Sequence, residues 1–357
     1  MIKAGHVTVI GAGAGGTAAA AVLVKEGVEV TLFSRTPDRL LPLRHRGGIE
    51  ITGDRGEGFV PLHHLTTDIA EAARARCLLV FTVANAHADI ARLLAPHLTP
   101  EHVVLIASGS GGTLELARLW REVGVQRLPL LGETATLPQS ARIVEPARLK
   151  IRFPWTLRTA AFPAVNTDAL LDALRPYGAL LRTLRGQHVL DPALNNPNFI
   201  IHPAPMVLNY AAIERADGLL SLMNEGMTEA VLRTMDAHDS ERMALLEAVG
   251  VRPISLDDLY YEFGSSPAIY RSSGEPMGLR DRIHFRYIDE DVPYGSVFMS
   301  SLGRLLGVHT PINDALNTLA SIARGVDYWG QGRTVERLGL AGLRPDDLRH
   351  YLQTGER

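Results

Sequence analysis

Short apolar runs alternate with helical patterns through the first half of the chain, and the alternation predicts its architecture. Residues 6–10 (HVTVI) read as a buried strand. Residues 14–25, rich in alanine, glycine and leucine, read as a helix that stops at Gly27. Further strands are expected at 28–33, 77–83 and 103–107, and the last two are followed by helical patterns at 86–98 and 112–123. Residues 128–131 read as a short fifth strand, weakened by Pro129, which brings no N–H to a ladder. Such alternation argues for a doubly wound α/β fold, a parallel sheet covered by helices on both faces.

The pattern changes after residue 150. Strands are expected at 150–153 and 158–162 around a Pro-Trp turn, then a helix at 167–174 and a last strand at 180–184. Beyond residue 190 strand signals nearly vanish, and residues 206–215, 227–249, 296–306 and 311–323 read as helices. The domain boundary is expected at 186–191, which gives an α/β domain over 1–187 and a mostly α-helical domain over 188–357. Residues 264–277 (GSSPAIYRSSGEPM) form the one long loop-like stretch. A mobile active-site segment and a passive connector both fit it.

The first strand runs into Gly11-Ala12-Gly13-Ala14-Gly15-Gly16, a G-x-G-x-x-G turn that opens the first helix. Gly11 permits the tight turn, Gly13 lets backbone approach a pyrophosphate, and Gly16 allows the helix to pack closely on the sheet. The amides and dipole of the helix start favour phosphate. In this strand–turn–helix context the motif predicts a Rossmann-type dinucleotide site holding Gly11, Ala12, Gly13, Ala14 and Gly16, with Val83 at the end of the third strand. The second strand ends in Ser34-Arg35-Thr36, where a site for NAD usually carries an acid for the ribose 2′-hydroxyl. A hydroxyl and a guanidinium suit a 2′-phosphate, so NADP(H) is favoured over NAD(H), although Arg35 can stack on adenine with either. A second glycine cluster, Ser108-Gly109-Ser110-Gly111-Gly112, follows the fourth strand. A plain loop and a ligand contact fit it equally.

Composition narrows the function. Lys+Arg is 36 and Asp+Glu is 39, a net charge of −3, so the chain lacks the basic excess that nucleic acid requires. No apolar run approaches the ~20 residues of a membrane helix. Strand-like sequence from residue 6 leaves no room for a signal peptide, which points to the cytoplasm. The single cysteine, Cys77, excludes an intrachain disulfide and Cys-x-x-Cys metal sites, and it is expected to be a buried, inert thiol. No metal site is expected. Only Lys3, Lys25 and Lys150 are lysines, so a lysine-dependent mechanism has three candidates and none in the helical half.

In that half, one histidine stands out by context. Asn196 and Pro197 fit N-cap and first-turn positions, and Asn198 and His202 are spaced to share a helix face. Pro203 and Pro205 bend the chain there at a cost in backbone hydrogen bonds. A catalytic histidine and a capped, kinked structural helix both satisfy these residues. Further on, Arg286-Tyr287-Ile288-Asp289-Glu290-Asp291-Val292-Pro293-Tyr294-Gly295 joins an arginine to an acidic cluster and a sharp turn. It reads either as a solvated helix start, or as a carboxylate that orients a histidine beside an arginine that grips a substrate carboxylate.

These residues together resemble the opine dehydrogenases of the octopine/nopaline group. The resemblance covers essentially the whole chain. It rests on VIGAGAGG, Gly132-Glu133-Thr134, the Asn-x-x-x-His-Pro element from Asn198 to Pro203, Asn224 to Thr228, Glu290 to Gly295, Gly332-Arg333-Thr334 and Leu338-Gly339-Leu340. The His-Pro and Glu-Asp-Val-Pro elements are the specific ones. The resemblance implies NAD(P)H-dependent condensation of a 2-oxo acid with the amine of an amino acid to a secondary amine dicarboxylate. It implies His202 and Asp291 as the catalytic pair, with Asp291 chosen over Asp289 by the motif, and Arg286 and Asn198 as substrate contacts. Two readings stay beside it: an oxo- or hydroxy-acid dehydrogenase of the ketopantoate reductase or glycerol-phosphate dehydrogenase type, and a dinucleotide-binding sensor without turnover. Small molecules are the expected partners, with no nucleic acid or membrane. Apolar faces among the C-terminal helices permit a homodimer, and a chain of this length also buries an adequate core alone.

Overall fold

The computed structural model describes residues 5–218, 220–271 and 286–357. The chain divides into two compact units, Met1–Ala193 with Tyr351–Glu356, and Leu194–His350 with Arg357.

The first unit is built on an eight-stranded sheet. Its strands lie in the order Arg182–Arg185, Thr156–Ala161, Leu130–Thr134, Val103–Ile106, Cys77–Val80, Val7–Ile10, Val30–Phe33 and His64–Thr66. The four strands VTVI, VTLF, CLLV and VVLI are buried at every position, as parallel strands covered on both faces must be. Even Thr8 is satisfied, its hydroxyl donating to Ala72 O at 2.6 Å. Each strand is shorter than its apolar run: the expected 77–83 stops at Val80, and 28–33 begins at Val30. Val7–Ile10 pairs with Val30–Phe33 on one side and Cys77–Val80 on the other, so the chain reverses its direction of travel across the sheet at the first strand. In open α/β sheets ligands bind outside the carboxyl ends of strands at such a point.

Two features depart from the sequence-based expectation. Leu130–Thr134 pairs antiparallel with Thr156–Ala161, so the sheet is not parallel throughout. Pro129 falls just outside the strand, where its missing N–H costs nothing. A second sheet, Gly58–Pro61, Gly48–Gly53, Arg148–Arg152 and Ser140–Glu145, also forms, of which only the segment at 150–153 was expected to be a strand. Its inward residues Ile49, Ile51, Val60, Leu149 and Ile151 join the same core as Ala18–Leu23 of the helix Ala14–Lys25. That helix is buried at every position from Gly16 to Leu23, which explains its nearly unbroken apolar sequence. Cys77 is buried in its central strand, and burial pushes its thiol up to about 12. Tyr351–Glu356 close this unit. The Tyr351 ring lies 5.1 Å from that of Phe162, and Arg121 donates to Tyr351 Oη at 2.9 Å and to Gly355 O at 3.2 Å.

The second unit is helical, with no strand among its described residues. Its longest helices are Glu229–Ala248, Val297–Leu306 and Pro311–Arg324. The expected helix at 206–215 is two, Pro203–Leu208 and Tyr210–Arg215. They break at Asn209, whose amide donates to Pro205 O and Gly226 O at 2.8 and 3.0 Å. Charge is buried here but paired. Arg242 reaches Asp239, Asn195 and Ile254 O at 2.6–2.7 Å. The Glu241 carboxylate accepts from Ile312 N and Asn313 N at the start of Pro311–Arg324, where the helix dipole favours an anion. Buried His238 contacts Asn313 Oδ1 through Nε2 at 2.7 Å, and desolvation pushes it down to about 4. Of the loop-like stretch 264–277, Ala268–Arg271 is helical and residues 272–277 lie outside the described residues. No helix among the described residues is long and apolar enough to cross a membrane.

Candidate active site

In the first unit the glycines do what their spacing requires. Gly11 has φ +118°, and a Cβ there would lie 2.5 Å from Phe81 O. A Cβ on Gly16 would lie 1.8 Å from Gly11 O, so the helix start cannot pack as it does with any side chain at that position. Gly13 is different, because a Cβ there meets nothing within 4 Å. The space beside it is open. Gly13 is also the N-cap of Ala14–Lys25, with no side-chain cap and no acid in the first turn. These residues fit a pyrophosphate.

Ala12, Ala14, Ser34, Arg35 and Val83 all follow the carboxyl ends of three adjacent strands, Val7–Ile10, Val30–Phe33 and Cys77–Val80. The Ser34 hydroxyl is tied into a tight turn with Thr36, donating to its carbonyl at 3.0 Å and accepting from its N–H at 3.2 Å. Arg35 pairs with Asp89 at 2.8 Å while both remain largely exposed, 61% and 50%. The second glycine cluster is occupied from within. Glu133, fully buried, accepts from Gly111 N at 2.7 Å and Thr113 N at 2.9 Å, at the start of the helix Gly112–Glu122. A Cβ on Gly109 would lie 2.3 Å from that of Glu133. The loop needs its glycines to admit this carboxylate, a role that nothing in the local sequence signals. Among the described residues no cluster of side chains could hold a metal ion.

In the second unit His202 sits at the joint of two short helices, Asn198–Ile201 and Pro203–Leu208. Its N–H still donates to Asn198 O at 3.1 Å, and its carbonyl accepts from Met206 N at 3.0 Å, so the ladder survives the two prolines. The Asn198 N–H donates to Asn196 Oδ1 at 3.1 Å, which starts the first of these turns. His202 Nδ1 lies 2.7 Å from Asp291 Oδ2, and both residues are only 7% exposed. An ionised carboxylate only accepts, so beside one this contact places the proton on Nδ1 and leaves Nε2 with its lone pair. Asp289 is engaged elsewhere, by Arg324 at 3.0 and 3.1 Å and by the Tyr328 hydroxyl.

Backbone packing makes the pairing reachable. Asp291 leads into a π-helical turn, Val292–Ser296, a geometry often found at functional sites. A Cβ on Gly295 would lie 2.2 Å from Phe199 Cδ1, so only glycine lets this turn approach the His202 helix so closely. A Cβ on Gly332 would lie 2.7 Å from Pro293 O, and Arg333 N donates to the same carbonyl at 2.8 Å. Buried Arg333 sits over the Tyr294 ring at 4.9 Å. The Tyr287 ring stacks on His202, centroids 4.0 Å apart. Arg286 opens the helix Arg286–Asp289, and its side chain lies outside the described residues.

Comparison with known proteins agrees with both halves of this description. Residues 185–324 match the family described as NAD/NADP octopine/nopaline dehydrogenase, alpha-helical domain, and residues 7–125 match ketopantoate reductase PanE/ApbA. An opine dehydrogenase of Arthrobacter sp. (strain 1C) is 32% identical over 99% of this chain and 100% of its own. Vitopine synthase of Allorhizobium ampelinum is 24% identical over 90% of this chain and 91% of its own. Among solved structures, octopine dehydrogenase in complex with NADH and agmatine shares the fold, with a TM-score of 0.74 at 18% identity over 99% of this chain and 98% of that one. Full-length identity to a curated relative, together with the matched helical domain, makes the chain a member of the opine dehydrogenase family.

Proposed function

We propose that His202 and Asp291 carry the proton chemistry of the reaction of this NAD(P)-dependent oxidoreductase, the reductive condensation of a 2-oxo acid with the amino group of an amino acid. The buried 2.7 Å contact between His202 Nδ1 and Asp291 is the observation that carries this reading. The amine adds to the oxo carbon, the carbinolamine loses water, and the resulting imine is reduced to a secondary amine. Addition of the amine releases a proton and loss of water needs one at the departing hydroxyl; in this reading Nε2 of His202 takes up the first and delivers the second. Asp291 holds the ring in one tautomer and steadies its cationic form. A bound dinucleotide supplies the hydride. Arg286 binds a substrate carboxylate, and Asn198, one helical turn before His202, contacts the substrate. Lysine chemistry has little support: Lys25 ends the first helix with its amine on Arg55 O at 3.0 Å, and Lys150 lies in the second sheet.

NADP(H) is the favoured cofactor, because Arg35 stands where an acid for the ribose hydroxyl would otherwise lie. A 2′-phosphate competes with Asp89 for its guanidinium. The reading places the enzyme in the cytoplasm, with small molecules as its partners. Leu319 and Ile322, exposed on Pro311–Arg324, permit a homodimer. The test is oxidation of NADPH with pyruvate and a pool of amino acids. Oxidation that requires both carbon substrates supports the proposal, and oxidation with pyruvate alone transfers the chain to the keto-reductase reading.

A further inference from the structure

We propose that Tyr287 is a positioning residue that fixes the plane of the His202 imidazole, an inference that rests on His202 being the acid/base. One hydrogen bond from Nδ1 to Asp291 sets where that nitrogen points, but it leaves the ring free to swing about the Nδ1–Oδ2 line. A second constraint, on the face of the ring, removes that freedom. Tyr287 supplies it: the two rings are stacked at 4.0 Å with planes 22° apart. In-plane bond and face contact together decide where Nε2 is directed.

Both constraints come from one short segment. Tyr287 and Asp291 flank His202, while the residues between them tie the segment down. Ile288 is fully buried, and Asp289 is held by Arg324 and the Tyr328 hydroxyl. The segment therefore seats the ring face and the ring edge in one event. Arg286, adjacent in the chain, is the residue proposed to hold the substrate carboxylate, so acid/base geometry and substrate anchoring share a single anchored element. The Tyr287 hydroxyl has no partner among the described residues, so the role belongs to the ring and phenylalanine should fulfil it.

The test compares Tyr287→Phe, Tyr287→Leu and Tyr287→Met with the wild type, with His202→Ala made alongside to assign the His202 ring signals by NMR. Misplacing a reacting group by an ångström costs on the order of 100-fold. The leucine variant should lose about 10- to 100-fold in kcat with KM for both substrates and NAD(P)H affinity little changed. The phenylalanine variant should stay within about twofold of wild type. The His202 ring protons should carry an upfield ring-current shift in wild type and phenylalanine variant that disappears in leucine and methionine variants. Methionine keeps the bulk without a ring plane, and it serves where leucine does not fold. Wild-type kcat in a folded leucine or methionine variant overturns the proposal. So does a phenylalanine variant as impaired as leucine, or a ring-current shift that survives loss of the ring. An active His202→Ala enzyme is a separate failure, of the acid/base reading itself, and leaves the spectroscopic result on the stack standing.

Discussion

In the first unit the proposed chemistry rests on space kept empty. Gly11 and Gly16 are required because side chains there would strike backbone, Gly13 leaves open space, and the groups proposed to meet a ligand are main-chain amides. In the second unit the proposed chemistry rests on side chains brought together. His202 and Asp291 are 89 residues apart, and their meeting depends on a proline-bent joint, a π turn and a glycine pressed against Phe199. The glycine turn is set chiefly by volume, and the histidine–aspartate pair by charge as well as by fit. Substitutions can be chosen to separate them.

The largest effect is expected within the glycine turn. Gly16→Ala puts a methyl 1.8 Å from Gly11 O and should abolish measurable dinucleotide binding and lower the melting temperature. Gly13→Ala meets no protein atom within 4 Å, so it should melt like wild type while still weakening the cofactor. Equal melting of all three proteins, with equal NADPH affinity by fluorescence titration, would show that the turn is not a nucleotide site. The helical pair should behave oppositely. His202→Ala should leave NADPH affinity unchanged and lower kcat by roughly 10²–10⁴, the usual worth of a positioned acid/base. Asp291→Asn should act in the same direction, and the double variant should be little worse than His202→Ala. Near-normal opine synthesis by His202→Ala sinks the mechanism.

Smaller effects sharpen the contrast. Arg35→Ala should weaken NADPH by about 10- to 100-fold and NADH much less, the worth of a charge-assisted contact. A wild type that prefers NADH in the same titration removes the reason for that assignment. Titration should distinguish the units as well. His238 is held neutral at about 4, below the ~6.5 of an unfolded chain. Between those values the unfolded state binds the proton and the folded state does not. Stability is therefore full above pH 6.5 and falls by up to roughly 3 kcal/mol as pH drops towards 4. Cys77, pushed up to about 12, has the opposite sign, because its contribution is present below about 9 and is lost as pH rises. Hydrogen exchange at pH 5 should accelerate first in the second unit. The thiol should resist labelling at pH 8 without denaturant.

How much of this the sequence revealed follows from how local each feature is. The glycine turn is contiguous and its effect is on backbone, so spacing alone located it. The central strands were equally visible, because burial on both faces leaves an unbroken apolar run. The second sheet was not, because Gly48–Gly53 and Arg148–Arg152 alternate buried and polar positions over only five or six residues and find each other across 98 positions. His202 and Asp291 were legible through their motifs, and only the structure shows Asp291 rather than Asp289 at the imidazole. Tyr287, Gly295 and Glu133 lay within quoted motifs, but what they touch escaped: each acts on a residue in another element, and none differs locally from an ordinary aromatic, turn glycine or acid.

The closure of the first unit by Tyr351–Glu356 has a consequence for how the protein is made. The ribosome releases the strands and helices of that unit before the helical unit, yet the tyrosine that covers Phe162 and accepts from Arg121 is synthesised after it. Until then Phe162 and Arg121 lack a partner they will later have. The first unit is thus completed only after the helical unit that interrupts it, and it waits, incomplete, through translation of that unit.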